Sequence, residues 1–352
     1  MALRPRLAAG LSAALIVAVA GCTGGGGHQD ASTTAPSASP VGPSSGPMTQ
    51  TPTSSAPPVT QATRWPLTGE PLTGTLPDHP AYVVKIDNTT SSAPQLGLDH
   101  ADMVVEELVE GGLTRLAAFF YSNIPDNVGP VRSMRASDIG IVEPANAFLV
   151  ASGAADATKH LLNQTDINRV TEGATGFYRS SSRPAPYNLF IRLSALAKNP
   201  SRSWKPPPAP YLPFGPAADF TGTVPVRSIT ATFSAAQTTD WKYTGKAWIR
   251  TDSNAQPSHD FPVDNVLILR VRLGDAGYQD PAGNPVPETK FYGSGQAVLV
   301  HGDKAVEGEW HKAGTQGRVT LATKHGKRLS VPFGHTFIEL VPMSGGAVAL
   351  HR

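Results

Sequence analysis

The 352-residue chain contains a single cysteine, Cys22. No intramolecular disulfide can form, and beyond that position no thiol is available for a papain-like or transpeptidase mechanism. The 10 histidines are scattered without H-x-H or H-x-x-x-H spacing, which predicts no metal site. No S-x-x-K occurs. The fit to G-x-S-x-G at Gly42–Gly46 lies in a Pro/Ser-rich stretch with no strand or helix to present a nucleophile. Basic runs and aromatic-interleaved basic patches are absent, and the net charge is only +2, so no nucleic-acid partner is expected. The apolar run Leu7–Ala20 is too short to span a bilayer. Glycine and proline, by contrast, are abundant at 34 and 33, and they predict many turns and some chain outside any core.

Residues 1–21 read as a lipoprotein signal peptide. Arg4 and Arg6 form its positive start, Leu7–Ala20 its apolar segment, and Val19-Ala20-Gly21-Cys22 matches a bacterial lipobox. Cys22 is the expected lipidation site. The membrane is then a partner through that lipid, and the expected location is the outer face of the cytoplasmic membrane. Residues 22–63 are Gly, Ser, Thr, Pro, Ala and Gln with almost no large apolar side chain. Such a segment cannot bury enough surface to offset chain entropy and reads as a disordered linker.

The expected fold class is α+β: a mixed α/β N-terminal domain over residues 64–205, a proline-rich connector over 206–217, and a mainly β C-terminal domain over 218–352. In the first region Ala81–Asp87 reads as a buried strand ending at the turn pair Asp87-Asn88. Met103–Val109, Gly111-Gly112 and Leu113–Tyr121 read as a hairpin. The chain then turns through Gly129-Pro130 into Arg132-Ser133-Met134-Arg135-Ala136-Ser137-Asp138. Ser137 or Asp138 is expected to cap a following helix, Ile139–Asn146, with a break at Pro144. Arg115, Arg132 and Arg135 would then meet amides at one concave spot, an arrangement suited to an oxyanion. The competing expectation is that these arginines pair internally with Glu106, Glu107 or Glu110 and lock the loop. A second polar stretch, Phe177–Asn188, carries Arg179, Arg183, Tyr187 and Asn188. It is expected as loop, with Asn188 capping a helix over Leu189–Asn199. The candidate ligand-binding set is Asp87, Asn88, Glu107, Glu110, Thr114, Arg115, Arg132, Ser133, Arg135, Asp138, Arg183, Tyr187 and Asn188.

The stretches P-L-T-G, V-K-I-D-N, G-L-D-H-A-D-M-V-V-E-E-L-V-E-G-G-L-T-R, V-G-P-V-R-S-M-R, R-P-A-P-Y-N and F-G-H-T-F-I-E-L-V-P resemble the YerB-like lipoproteins, nearly throughout the part after the linker. That family has two adjoining regions of unknown function. The resemblance implies lipid anchoring and supplies no reaction. It also implies His where Tyr187 stands, and a phenol cannot replace an imidazole as a base near neutrality.

In the second region Val226–Phe233, Asp240–Tyr243, Lys246–Thr251, Asn265–Leu273, Gln296–His301, Lys304–His311, Arg318–Thr323 and Thr336–Val341 are expected as strands. Trp241, Trp248 and Trp310 read as core. The whole reads as a non-catalytic envelope protein without a cofactor. Its expected ligand is an anionic envelope molecule, with cell-wall polymer, lipid-linked precursor or a wall-synthesis protein as partner. The alternative is a phosphotransferase or hydrolase of lipid-linked pyrophosphates, loosely similar to the arginine-rich sites of LytR-CpsA-Psr ligases. There Arg115, Arg132 and Arg135 would clamp phosphates and Asp87 or Asp138 would hold magnesium.

Overall fold

The computed structural model describes residues 63–200 and 203–352. Cys22 and the 22–63 linker up to residue 62, together with the signal segment, lie outside them. The N-terminal region is mixed and the C-terminal region mainly β, as the composition and patterning predict. The first region contributes β1 (Tyr82–Asp87), β2 (Met103–Leu108), β3 (Thr114–Phe120), α1 (Asp138–Val142), β4 (Phe148–Ala151), α2 (Asp156–Leu162), β5 (Arg169–Thr171), β6 (Phe177–Arg179), β7 (Leu189–Ile191) and α3 (Leu193–Lys198).

One 13-stranded sheet organises the described residues. From one edge eleven strands run Arg328–Leu329, Thr320–Thr323, Lys304–Lys312, Gly293–His301, Asn265–Gln279 and Thr336–Pro342, then β2, β3, β1, β4 and β5, with Pro285–Lys290 and Val224–Pro225 paired off this path. Thr336–Pro342 is parallel to both of its neighbours, β2 and Asn265–Gln279. It therefore joins sequence from either side of the connector. The 206–217 connector divides the sequence, while the sheet is continuous across that division and Val59–Arg352 is one compact unit. Part of the connector is itself docked, since Tyr211 and Leu212 are buried and the Tyr211 hydroxyl donates to Ile141 O at 2.9 Å.

The central strands β1, β2, β3 and Thr336–Pro342 are buried along their full length. Strands covered on both faces must be apolar on both. Successive side chains alternate between two cores. Val84, Ile86, Val104, Leu116, Ala118 and Phe337 enter one. It is closed by a four-stranded sheet that carries Trp241 and Trp248. Val83, Val105, Ala117, Phe119, Ile338 and Leu340 enter the other, which is closed by α1, Leu162 and Tyr211. Trp241, Trp248 and Trp310 are core, each 1–2% exposed. Six charged side chains interrupt this pattern: Lys85, Asp87, Glu106, Glu107, Arg115 and Glu339, all buried.

Several local expectations are corrected. The α1 helix starts at Asp138 with no side-chain cap. The Ser137 hydroxyl instead accepts Thr289 N at 2.9 Å, and the Asp138 carboxylate accepts Arg135 N at 2.7 Å. Asn188 caps no helix, because Leu189–Ile191 continues as β7 and the helix begins only at Leu193. That strand pairs with Phe177–Arg179, so the polar stretch is a hairpin rather than open loop. Pro285–Lys290 is a strand unforeseen in the sequence, paired with an Asn265–Gln279 strand longer than its expected end at Leu273.

Candidate functional site

The site grows from the β-hairpin. Antiparallel register places Asp87 and Glu107 opposite Arg115, on neighbouring strands. Alternation turns all three toward the face covered by α1, where the loop after Pro130 returns. The Arg132 amide donates to Lys85 O at 2.8 Å, which fixes that loop onto β1. Gly129 makes the close approach possible. Its φ is +149°, and a Cβ there would lie 2.8 Å from the Phe190 ring.

Most of the charges are spent on one another. Glu110 Oε1 receives Arg115 Nη2 at 2.7 Å and also Arg135 Nη2, while Oε2 receives Arg135 Nε at 2.8 Å. Arg135 Nη1 donates to Met134 O at 2.9 Å and Arg115 Nη1 to Ser133 O at 3.2 Å. Burial alone would raise the Glu110 carboxyl, but the Arg135 hydrogen bonds and the Arg115 charge hold it down at about 2. Burial and the neighbouring Arg135 lower Arg115 to about 10, still a cation at neutral pH. Lys85 lies 2.5 Å from Glu107 and 2.6 Å from Asp138, all three fully buried. Burial opposes its charge, but the two carboxylates raise its pKa.

Arg132 differs. Its Nε lies 2.8 Å from Asp87 Oδ2, an ion pair without hydrogen-bond alignment. Its side chain is 24% exposed. Its terminal nitrogens donate to no partner among the described residues, and the guanidinium carbon lies 5.8 Å from the Tyr187 ring centroid. Asp87 is held in turn by Thr89, whose amide and hydroxyl donate to Oδ1 at 2.8 and 2.5 Å.

These side chains border a cavity of about 160 Å³. Of the residues expected from sequence, Asp87, Glu110, Thr114, Arg115, Arg132 and Tyr187 line it. Arg135 stands behind Glu110, and Glu107 and Asp138 lie in the Lys85 cluster. Asn88 donates to Glu106 Oε1 and Thr114 Oγ1, both at 3.0 Å. The Ser133 hydroxyl meets Ser152. Arg183 donates to Ser92 O at 3.0 Å and Pro94 O at 2.7 Å, over the Phe190 ring. Asn188 accepts Arg179 Nη1 at 2.7 Å. None of these last residues reaches the cavity. Asp138, one of the two carboxylates offered for magnesium, is engaged by Lys85 and the Arg135 amide, while Asp87, the other, lines the cavity.

Sequence reasoning missed the far wall, Asp280 and Asn284. They occupy the tip of the hairpin between Asn265–Gln279 and Pro285–Lys290, held over the site by Tyr278 OH at 2.9 Å from Thr158 Oγ1. Asp280 accepts the amides of Ala282 and Asn284 and the Asn284 side chain. It also missed a second polar cluster, on the opposite face. Glu106 and Glu339 are register partners in adjacent strands, both fully buried. Glu106 accepts the Thr239 hydroxyl, and Glu339 accepts Trp241 Nε1 at 2.7 Å. Burial and the Glu106 charge raise the Glu339 carboxyl well above its ordinary range. The signal was present as Glu106-Glu107, two carboxylates in an otherwise apolar strand that must point to opposite faces.

Comparison with known proteins places these elements in a family. Residues 67–204 match the family described as "Protein of unknown function (DUF3048) N-terminal domain", and residues 229–338 match its C-terminal domain. The protein named "Putative lipoprotein YerB" from Bacillus subtilis (strain 168) is 24% identical over 291 residues, covering 79% of this chain and 86% of that one. The crystal structure of YerB from Bacillus subtilis shares the fold with a TM-score of 0.66 at 21% identity, covering 81% of this chain and 99% of that one. With both paired domains present in order, this chain belongs to the YerB-like family of DUF3048 proteins.

Proposed function

We propose that this protein is an exported lipoprotein, anchored through Cys22 on the outer face of the cytoplasmic membrane, that binds one oxyanion group beneath Arg132 and acts as a binding protein rather than a catalyst. The carrying observation is the division of labour among the arginines. Arg115 and Arg135 share Glu110, whereas Arg132, which lines the cavity, pairs with Asp87 through Nε and has two terminal nitrogens with no partner among the described residues. Those two donors suit the fork geometry of a phosphate or carboxylate. The volume of about 160 Å³ is below that of a typical small-molecule pocket and suits a single functional group. Asp280 on the far wall opposes a second negative charge, so a monoanionic end group of an envelope polymer or lipid-linked precursor fits better than a pyrophosphate.

Titration calorimetry with inorganic phosphate at constant ionic strength tests the reading. The wild-type chain should bind, Arg132→Ala should not, and Arg132→Lys should bind more weakly because an ammonium lacks the fork. Absence of phosphate binding by the wild type, or equal binding by Arg132→Ala, refutes it. For the anchor, Cys22→Ala should abolish lipid labelling and release the chain from membranes. Membrane partitioning that persists in a processed Cys22→Ala protein contradicts the anchor.

A further inference from the structure

A larger groove of about 490 Å³ lies outside the arginine site. One wall is the stretch leading into the connector, which carries Trp204. The other comes from the turn after α1 and from the residues just before β5. The walls are tied together: Asn146 Nδ2 donates to Pro206 O at 3.2 Å, and Asn168 Nδ2 donates to Ser203 O at 3.4 Å. Trp204 is partly exposed and packs against the apolar core, so its indole is held in place along the groove.

Carboxylate and amide oxygens line this groove, with the Lys205 ammonium among them. Asn146 and Asn168 each engage one amide N–H and keep their side-chain oxygens, and Asp166 adds a carboxylate. Glu143 Oε1 accepts Gln316 Nε2 at 3.4 Å. Glu143 Oε2 is buried with no hydrogen-bond partner among the described residues, although the Lys312 ammonium is near enough to feel the Glu143 charge. A buried carboxylate oxygen without a donor is costly unless a ligand supplies one. The complementary molecule has several O–H or N–H donors around a flat C–H face that can lie on an indole.

We propose that this groove is a carbohydrate-binding site, in which a neutral or amino-substituted pyranose stacks on Trp204 and donates its hydroxyls to Glu143, Asp166 and the two asparagines. A proline-rich peptide also stacks on tryptophan, but proline has no N–H and would leave these acceptors unsatisfied. An anionic chain would meet the Glu143 and Asp166 carboxylates against the single Lys205 ammonium. The site is independent of the Arg132 pocket.

The test is titration of the full chain with cellotetraose and chitotetraose, followed by tryptophan fluorescence and calorimetry, with a polyproline peptide as competitor. At least one oligosaccharide should bind and perturb the fluorescence. Trp204→Ala should weaken binding about tenfold or more through the lost stacking. Because Trp204 also touches the core, Glu143→Gln is the second variant. It keeps the shape, sets a donor against the sugar's donors, and should weaken binding about tenfold without lowering the melting temperature. Phosphate binding at Arg132 should be unchanged in Glu143→Gln. Failure of both oligosaccharides to bind, sugar binding indifferent to both substitutions, or tighter binding of polyproline would each overturn the proposal.

Discussion

Glu110 neutralises two guanidiniums at once, and Glu110→Ala should cost about 3–5 kcal/mol because both cations are left buried without their shared carboxylate. Arg135→Ala should fall in the same range, whereas Arg132→Ala, partly exposed, should cost about 1 kcal/mol or less. Urea midpoints of the three variants measure this order, and a large loss for Arg132→Ala with a small one for Arg135→Ala would reverse the assignment. The pH dependence has two opposite contributions. Glu110 has an ordinary value of 4.5 and sits at about 2 in the folded chain. Its stabilisation is therefore present above the ordinary value and is lost as pH falls through the folded one. Glu339 is raised, mainly by burial and then by Glu106. Its contribution is full below 4.5 and is lost as pH rises toward the folded value. Glu339→Gln should therefore flatten the decline in stability above that point, and an unchanged slope would show that Glu339 is not the titrating group. The sequence showed that arginines and carboxylates converge near the hairpin. It could not show their pairing, since Glu106, Glu107 and Glu110 are near neighbours along the chain and only strand alternation separates them.

At the scale of elements, the β2–β3 hairpin was legible from its apolar strands and Gly111-Gly112 turn, and the register observed follows from it. The Gly129 turn is the part most exposed to substitution. Gly129→Ala puts a side chain into a backbone region favouring glycine and drives its Cβ to 2.8 Å from Phe190 and 3.0 Å from Leu189 O. A loss of about 1–3 kcal/mol is expected. Weaker phosphate binding should accompany it, because Arg132 hangs from this turn. Unchanged stability would mean the turn can relax. Pro285–Lys290 escaped the sequence reading because two prolines in six residues argue against a strand. The hairpin survives because it reaches past the main sheet, where that segment pairs along only one side. The tip that carries Asp280 and Asn284 was illegible for the same reason: its meaning depends on contacts with α2, more than a hundred residues earlier.

For the whole molecule, local patterning gave the fold class and most strands. It did not show that Thr336–Pro342 would insert between β2 and Asn265–Gln279, since a parallel pairing across more than two hundred residues has no local signature. That insertion makes the connector a strap over one sheet. Limited proteolysis should cut at the exposed start of the connector, around Lys205 to Pro210, while the buried Tyr211-Leu212 stays protected. The two fragments should co-elute under native conditions, and their separation would contradict a shared sheet. The most direct measurement is calorimetric unfolding of the full chain and Arg132→Ala, each with and without inorganic phosphate. The account predicts one cooperative transition for the folded unit in both proteins, nearly equal melting temperatures without phosphate, and an upward shift with phosphate in the wild type alone. Two separate transitions, or the same phosphate shift in Arg132→Ala, would contradict it.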